Sequence, residues 1–256
     1  MMLADFHIHS HYSDGQLSIK EIVDLFGSRG IKIIAITDHL CEEKTFLGKA
    51  SRTLKKTLTR ETFPHYLQEI HKEAKRAMTD YGMLVLPGVE ITKNSFSFNR
   101  SAHIVAVGIK DFISADGDVL DILRRIKNQE ALAIAAHPVS TKMLEHQTYH
   151  LWDRRHELKD WFDAWEAASG AFLFDDVLKS GLPIIANSDL HAPKQIHSWK
   201  TILSCEQTFE SVKEAVIQQK IRLTFFEDNI ETRSSYEISQ RLESLFHHGQ
   251  VSQRVF

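Results

Sequence analysis

The sequence predicts an α/β fold in one domain, on three observations. The run 31–36 is apolar but for Lys32, as in a strand buried on both faces of a helix-covered parallel sheet. Stretches with helical spacing alternate with strand-like runs along the chain. Polar, chemistry-bearing residues stand at the ends of those strands, which is where barrel and open α/β proteins build their sites.

Composition narrows the function classes. A chain of 256 residues can bury a large core, as one domain of barrel size or two smaller ones, and the lack of a linker or repeat favours one. The 31 Lys+Arg against 34 Asp+Glu leave a net charge of -3, which gives no global case for a nucleic-acid binder. Cys41 and Cys205 are the two cysteines, so there is no disulfide framework and a reducing compartment fits. No apolar run reaches membrane-spanning length. A cleaved signal peptide would take His7 and His9 with it, so a cytoplasmic protein is expected.

The elements follow in order. Leu3, Phe6 and Ile8 mark a first strand, and alternation puts His7 and His9 on one face of it. Asp14 follows on a Ser-Asp-Gly turn, able to aim back at them. Ser18 and Glu21 form a capping-box pattern before a helix over 19–29, with Ile19, Ile22, Val23 and Phe26 inward and Gly30 past its end. The strand 31–36 ends in Thr37-Asp38-His39. His39 is a ligand candidate, and Asp38 is either another or a partner that orients an imidazole. Residues 42–61 break the rhythm with Lys44, Lys49, Arg52, Lys55, Lys56 and Arg60, either a solvated excursion or a basic flap facing substrate.

A long helix opens at residue 61 or 62, with Pro64 in its first turn and Gly82 at its end. Leu67, Ile70, Ala74 and Ala77/Met78 mark its expected buried side. The strand 84–92 carries Glu90 between Val89 and Ile91, where a carboxylate is expensive unless paired or bound to metal. The strand 102–109 has His103 at its start. A helix over 118–129 precedes the strand 132–136, which delivers His137-Pro138. Residues 161–167 suit a strand and 171–180 a short helix. The strand 182–186 delivers Asp189 and His191, spaced two apart as His7 and His9 are. A strand at 200–203, a helix over 209–219 capped by Thr208 and a strand at 221–226 complete the body. Beyond it lies an amphipathic helix near 236–247, with Ile238, Leu242, Leu245 and Phe246 on one side.

The candidates are therefore His7, His9, Asp14, His39, Glu90, His103, His137, Asp189 and His191, all imidazole or carboxylate. Such a set suits zinc, manganese or iron rather than a closed structural zinc site. It is too large for one ion, so two or three divalent ions are expected. Paired metals give a bridging hydroxide near neutral pH and neutralise the oxygens of the group under attack, help that phosphate esters need most.

At His7-Ile8-His9-Ser10, Ser13-Asp14-Gly15, Thr37-Asp38-His39, Gly88-Val89-Glu90, His137-Pro138 and Ser188-Asp189-Leu190-His191 the chain resembles the PHP (polymerase and histidinol phosphatase) family. The resemblance implies an irregular seven-stranded (β/α) barrel with a trinuclear metal site at the C-terminal ends of the strands. It implies one ion on His7, His9, Glu90 and Asp189, a second on Glu90, His103 and His137, and a third on Asp14, His39 and His191. Asp14 stands where some members have histidine. The expected activity is phosphoester hydrolysis of a small phosphomonoester or short nucleotide, with no membrane and no stable nucleic-acid complex as partner. Asp189 and Glu90 are the candidate catalytic residues, and Arg100, Lys194 and His197 candidate substrate contacts. The expected layout is a barrel over 1–226 and a helical tail over 227–256. A metal hydrolase of another ester, amide or carbamate bond, and a non-catalytic metal-stabilised module, are the rival readings.

Overall fold

Strand β1 (Met2–Asp5) leads into helix α1 (Ile19–Gly27), strand β2 (Ile33–Ile36) and the short strand β3 (His39–Cys41). The computed structural model describes residues 1–54, 56–94, 101–139 and 150–228; Lys55, the side chain of Arg52, Arg100 and the helix expected near 236–247 lie outside the described residues. Helix α2 (Phe46–Thr53) falls inside the basic excursion, and helix α3 (Phe63–Tyr81) follows it. Next come β4 (Leu84–Lys93), β5 (Ala102–Val107), α4 (Val119–Asn128) and β6 (Leu132–Ala135). Two one-turn helices, α5 (His150–Asp153) and α6 (Arg155–Leu158), precede β7 (Ala164–Ser169) and β8 (Phe172–Leu173). Helix α7 (Asp175–Leu178), β9 (Ile184–Asn187), β10 (Trp199–Leu203), α8 (Phe209–Ile217) and β11 (Ile221–Phe225) complete the described chain.

The strands form one mixed sheet, ordered β11-β10-β1-β2-β4-β5-β6-β7-β8, with β3 also beside β4 and β9 beside β7. The hydrogen-bonded path thus has nine strands where the resemblance implied a barrel of seven. β1, β2 and β4 run parallel, as do β6, β7 and β9, whereas β5 is antiparallel to both of its neighbours. The path curls, because the chain leaving β9 returns to the chain leaving β1 at the bridge Ile8↔Leu190. Alternate strand residues enter two cores: Ile34, Ile36, Ile104 and Ala106 pack with α1, α3 and α4, and Ile33, Ala35, Val105 and Val107 with α8. Two buried faces explain the continuous apolar strand runs.

The seam between β1 and β9 is stitched by side chains. Asn187 Oδ1 accepts from the Phe6 N–H at 2.8 Å, and Asp5 Oδ1 from the Ser188 N–H at 3.0 Å. Thr201 Oγ1 both accepts from the Ala186 N–H and donates to the Ala186 carbonyl. Beneath lies the fully buried Lys200, its ammonium 2.9 Å from Asp5 Oδ2 and donating to Ser198 Oγ at 2.5 Å.

Helix ends follow the sequence signals. Ser18 and Glu21 make the reciprocal capping box of α1, which stabilises it by about 1 kcal/mol. Gly82 ends α3 at φ +56, where glycine carries no Cβ penalty. The buried face of α3 departs from expectation. Phe63, Tyr66, Ile70, Glu73 and Ala77 face inward, Leu67 and Ala74 are only partly buried, and Met78 is 45% exposed. Two polar anchors set that rotation. Tyr66 Oη donates to the carbonyls of Ile36 and Gly88, and Glu73 turns inward because Arg76 Nε meets it at 2.6 Å. The segment 171–180 also differs. Gly170, at φ +57, folds β7 back into the β7–β8 hairpin, leaving one helical turn at α7 where a longer helix was expected. Among the described residues no helix is long and apolar enough to cross a membrane.

Candidate metal centre

The curled sheet brings all nine sequence candidates to one end. His7 and His9 follow β1, His39 opens β3, Glu90 lies in β4, His137 follows β6, and Asp189 and His191 follow β9. His103 joins them because β5 is antiparallel, so its first residues stand beside the last residues of β4, with His103 opposite Thr92. Asp14 is carried by a loop that closes tightly on β1, since a Cβ at Gly15 would run into the carbonyl of His9.

Glu90 is the hub. Five imidazoles surround its carboxylate: His39 Nδ1 at 2.7 Å, His103 Nδ1 at 2.9 Å, His137 Nε2 at 3.4 Å, His7 Nε2 at 3.5 Å and His9 Nε2 at 3.6 Å. Asp189 Oδ1 lies 3.4 Å from His7 Nε2, 3.3 Å from His9 Nε2 and 3.6 Å from His191 Nδ1. Asp14 Oδ1 lies 3.4 Å from His39 Nε2 and 3.2 Å from His191 Nε2. The His7 and His9 rings are 5.0 Å apart, as side chains on one face would be.

Burial works against charge here, and neighbours decide the outcome. Burial alone would raise the Glu90 carboxyl, but His103, His39 and His7 hold it well below its usual range. His7 does the same for Asp189. His9, enclosed and beside His39, is pushed down to about 3. Burial also opposes charge on His191 and His137, but it is outweighed by Asp14 and Asp189 at His191, raised to about 9, and by Glu90 and Asp189 at His137, raised to about 8. The cluster thus attracts positive charge to its carboxylates.

The donor atoms test whether metal fits. Beyond the ion-pair contacts above, His7 Nε2, His9 Nε2 and Asp14 Oδ1 are buried without a hydrogen bond among the described residues. Such orphaned atoms are costly in a folded protein unless something else satisfies them. Three converging groups have ligand atoms within 4.8 Å of one another: His9, Asp14, His39 and His191; His7, Glu90 and His137; and His7, His9 and Asp189. The residues fit divalent cations in donor type and convergence. His103 touches Glu90 and, through Nε2, Asn94 Oδ1 at 3.1 Å, and is absent from those three groups.

Other expectations divide. Asp38 does not orient an imidazole. It accepts from Ser10 N–H, Ser10 Oγ and Ser13 Oγ at 2.9, 2.7 and 2.6 Å, and so grips the loop that bears Asp14. Both serines sit on the one short loop between His9 and Asp14. Lys194 is exposed on a 3-10 turn at Pro193–Ile196. The His197 ring stacks on Phe226 and accepts from the Asp228 N–H at 3.3 Å. Arg100 lies outside the described residues.

Sequence reasoning passed over three supports. Glu166 in β7 bonds His7, Thr92 Oγ1 stands 2.8 Å from His39 Nδ1, and the Gln195 amide accepts from the His191 and Ala192 N–H groups. Glu166 had a signal in the chain, a carboxylate inside the apolar run 164–168, the same anomaly as Glu90 between Val89 and Ile91. Asp189 at φ +51 and His137 at φ +25 occupy the left-handed region, backbone strain of a kind that gathers at functional sites.

A curled α/β sheet that collects imidazoles and carboxylates at one end defines a candidate metal-dependent protein of the α/β class. Residues 5–204 match the PHP domain, and the chain belongs to that family. A stretch of 110 residues is 24% identical to a phosphoribosyl 1,2-cyclic phosphate 1,2-diphosphodiesterase of Eggerthella lenta, covering 43% of this chain and 32% of that protein. The match thus spans about a third of that curated relative's length. A two-domain protein from Bacteroides vulgatus, containing a predicted PHP-like metal-dependent phosphoesterase, superposes with a TM-score of 0.65 at 22% identity, over 99% of this chain and 72% of that one. An amidohydrolase from Chromobacterium violaceum with bound sulfate and no metal gives a TM-score of 0.48 at 18% identity, over 74% of this chain and 88% of that one.

Proposed function

We propose that the chain is a metal-dependent phosphoesterase that hydrolyses a small phosphomonoester or short nucleotide. The observation that carries this reading is the convergence of His7 Nε2, His9 Nε2 and Asp14 Oδ1, buried without a hydrogen bond among the described residues, around Glu90 and Asp189 at one end of the sheet. The relative from Eggerthella lenta, named for a cyclic phosphodiester of a phosphorylated sugar, supports a small phosphorylated substrate. On this reading β1, β2, β4, β5, β6, β7 and β9 are the seven barrel strands, within a body of residues 1–226 followed by a tail.

The proposed ligands are His7, His9, Asp14, His39, Glu90, His103, His137, Asp189 and His191, holding two or three zinc, manganese or iron ions. Bound ions of this kind lower the pKa of water and neutralise phosphate oxygens. Glu90, at the centre of five imidazoles, would hold the ions from that central position. Asp189 presents Oδ1 toward His7, His9 and His191 and is the group that accepts and returns a proton. The basic excursion is rooted beside this centre, with the Leu58 N–H donating to the His39 carbonyl and Lys93 paired with Glu42. Among the described residues of the excursion Lys44, Lys49, Lys56 and Arg60 are exposed cations, and the Arg60 guanidinium lies 4.6 Å over the Phe112 ring.

The test is a panel of phosphomonoesters, nucleotides, cyclic phosphodiesters, carboxylic esters and amides, run on protein supplied with manganese or zinc. Release of inorganic phosphate from a small phosphomonoester or nucleotide, abolished by chelator, is the expected result. Turnover confined to carboxylic esters or amides would assign a different hydrolase class, and no turnover of any member would favour a non-catalytic module.

A further inference from the structure

Glu166 is fully buried in β7, and its carboxylate gathers donors from three other segments. Oε1 meets His7 Nδ1 at 2.9 Å and accepts from Asn187 Nδ2 at 2.9 Å. Oε2 accepts from the His137 backbone N–H at 2.7 Å. A carboxylate bonded in this way offers only lone pairs, so it meets His7 Nδ1 only where Nδ1 carries a proton. In a neutral ring His7 Nε2 then keeps its lone pair. That nitrogen is the buried atom without a hydrogen-bond partner, 3.5 Å from Glu90 and 3.4 Å from Asp189. His137 is held at φ +25 immediately before Pro138, a conformation a non-glycine residue adopts only when its surroundings impose it.

We infer that Glu166 is a positioning residue that fixes the tautomer of His7 and the backbone of His137 together, aligning two of the five imidazoles that face Glu90. The His7 and His137 rings are accordingly near-parallel, 5.7 Å apart with 18° between their planes. The inference rests on the metal-centre reading given above. Three donors meeting one side chain also explain why it is an acid. An amide of the same shape has one acceptor atom, so it must turn a donor against the His137 N–H or against both His7 Nδ1 and Asn187 Nδ2.

A pair of exchanges that together conserve charge tests this role. Glu166→Gln leaves donors opposed. Adding Asn187→Asp provides an acceptor for the new amide and keeps the acceptor that Asn187 Oδ1 offers the Phe6 N–H. Every group is then satisfied if His7 accepts at Nδ1 and carries its proton on Nε2, the tautomer unable to bind a cation there. Two readouts are taken on wild type, Glu166→Gln and the double variant: nitrogen chemical shifts of the His7 ring in chelator-treated protein at a pH high enough to leave the ring neutral, since Asp189, Glu166 and Glu90 outweigh burial and hold it well above its usual value, and zinc or manganese affinity by titration.

Wild type should show the Nδ1–H tautomer. The double variant should fold and show Nε2–H, with metal affinity about 10–100-fold lower, the usual effect of losing a ligand's orienting partner. Glu166→Gln should lose affinity by at least as much, and if it fails to fold, the double variant still carries the test. Unchanged affinity in either folded variant, an Nδ1–H tautomer in the double variant, or its failure to fold overturns the inference. Wild type that binds no metal overturns the metal reading instead, while the tautomer comparison continues to test the role of Glu166.

Discussion

Replacing Lys200 by methionine is expected to destabilise the protein by roughly 3–5 kcal/mol, the range for removing one partner of a buried ion pair. The ammonium is fully buried, 2.9 Å from Asp5 Oδ2, and Asp5 in turn accepts the Ser188 N–H through its other oxygen. Without Lys200 the carboxylate stays buried and uncompensated at the seam joining β1 to β9. Each 1 kcal/mol shifts the melting temperature of a chain this size by about 2–4 °C, so a fall on the order of 10 °C should appear in calorimetry. Lys200→Met combined with Asp5→Asn should regain much of the loss, because the uncompensated charge is gone. A single variant as stable as wild type would mean that the pair contributes nothing to closing the seam.

Asp189→Asn is expected to keep the fold and lower kcat on a phosphomonoester by about 10²–10⁴-fold, the usual contribution of a positioned acid–base group. Asp189 Oδ1 reaches His7, His9 and His191 within 3.6 Å, from a backbone at φ +51. An amide of the same shape retains the contacts in outline but neither holds the negative charge nor takes a proton. Steady-state kinetics with a circular-dichroism check on folding decide the matter. A fully active variant, or a phosphorylated-enzyme intermediate trapped during turnover, would show that a different group does the chemistry.

Much of the site was legible because its residues interrupt local patterns. His7, His9, Asp189 and His191 stand out as polar pairs at the ends of apolar strands, and Glu90 as a charge inside one. The capping box of α1 and the glycine stop of α3 are likewise local signals. What escaped depends on partners far along the chain. Lys200 reads as an ordinary strand-edge lysine until the fold places Asp5 beneath it. The rotation of α3 follows from Tyr66 reaching carbonyls in the sheet and from the Glu73–Arg76 pair, neither of which an apolar count registers. The antiparallel course of β5, which brings His103 into the cluster, leaves no mark in strand composition.

The proposed metal centre holds more than one ion. Elemental analysis of protein purified without chelator or acid tests it most directly. Paired with thermal melts before and after chelation, it also reads stability, because ions bound only by the folded state contribute to folding free energy. The expected result is two or three zinc, manganese or iron ions per chain and a lower melting temperature once they are removed. One ion or none per chain, with a melting temperature indifferent to chelator, would contradict it.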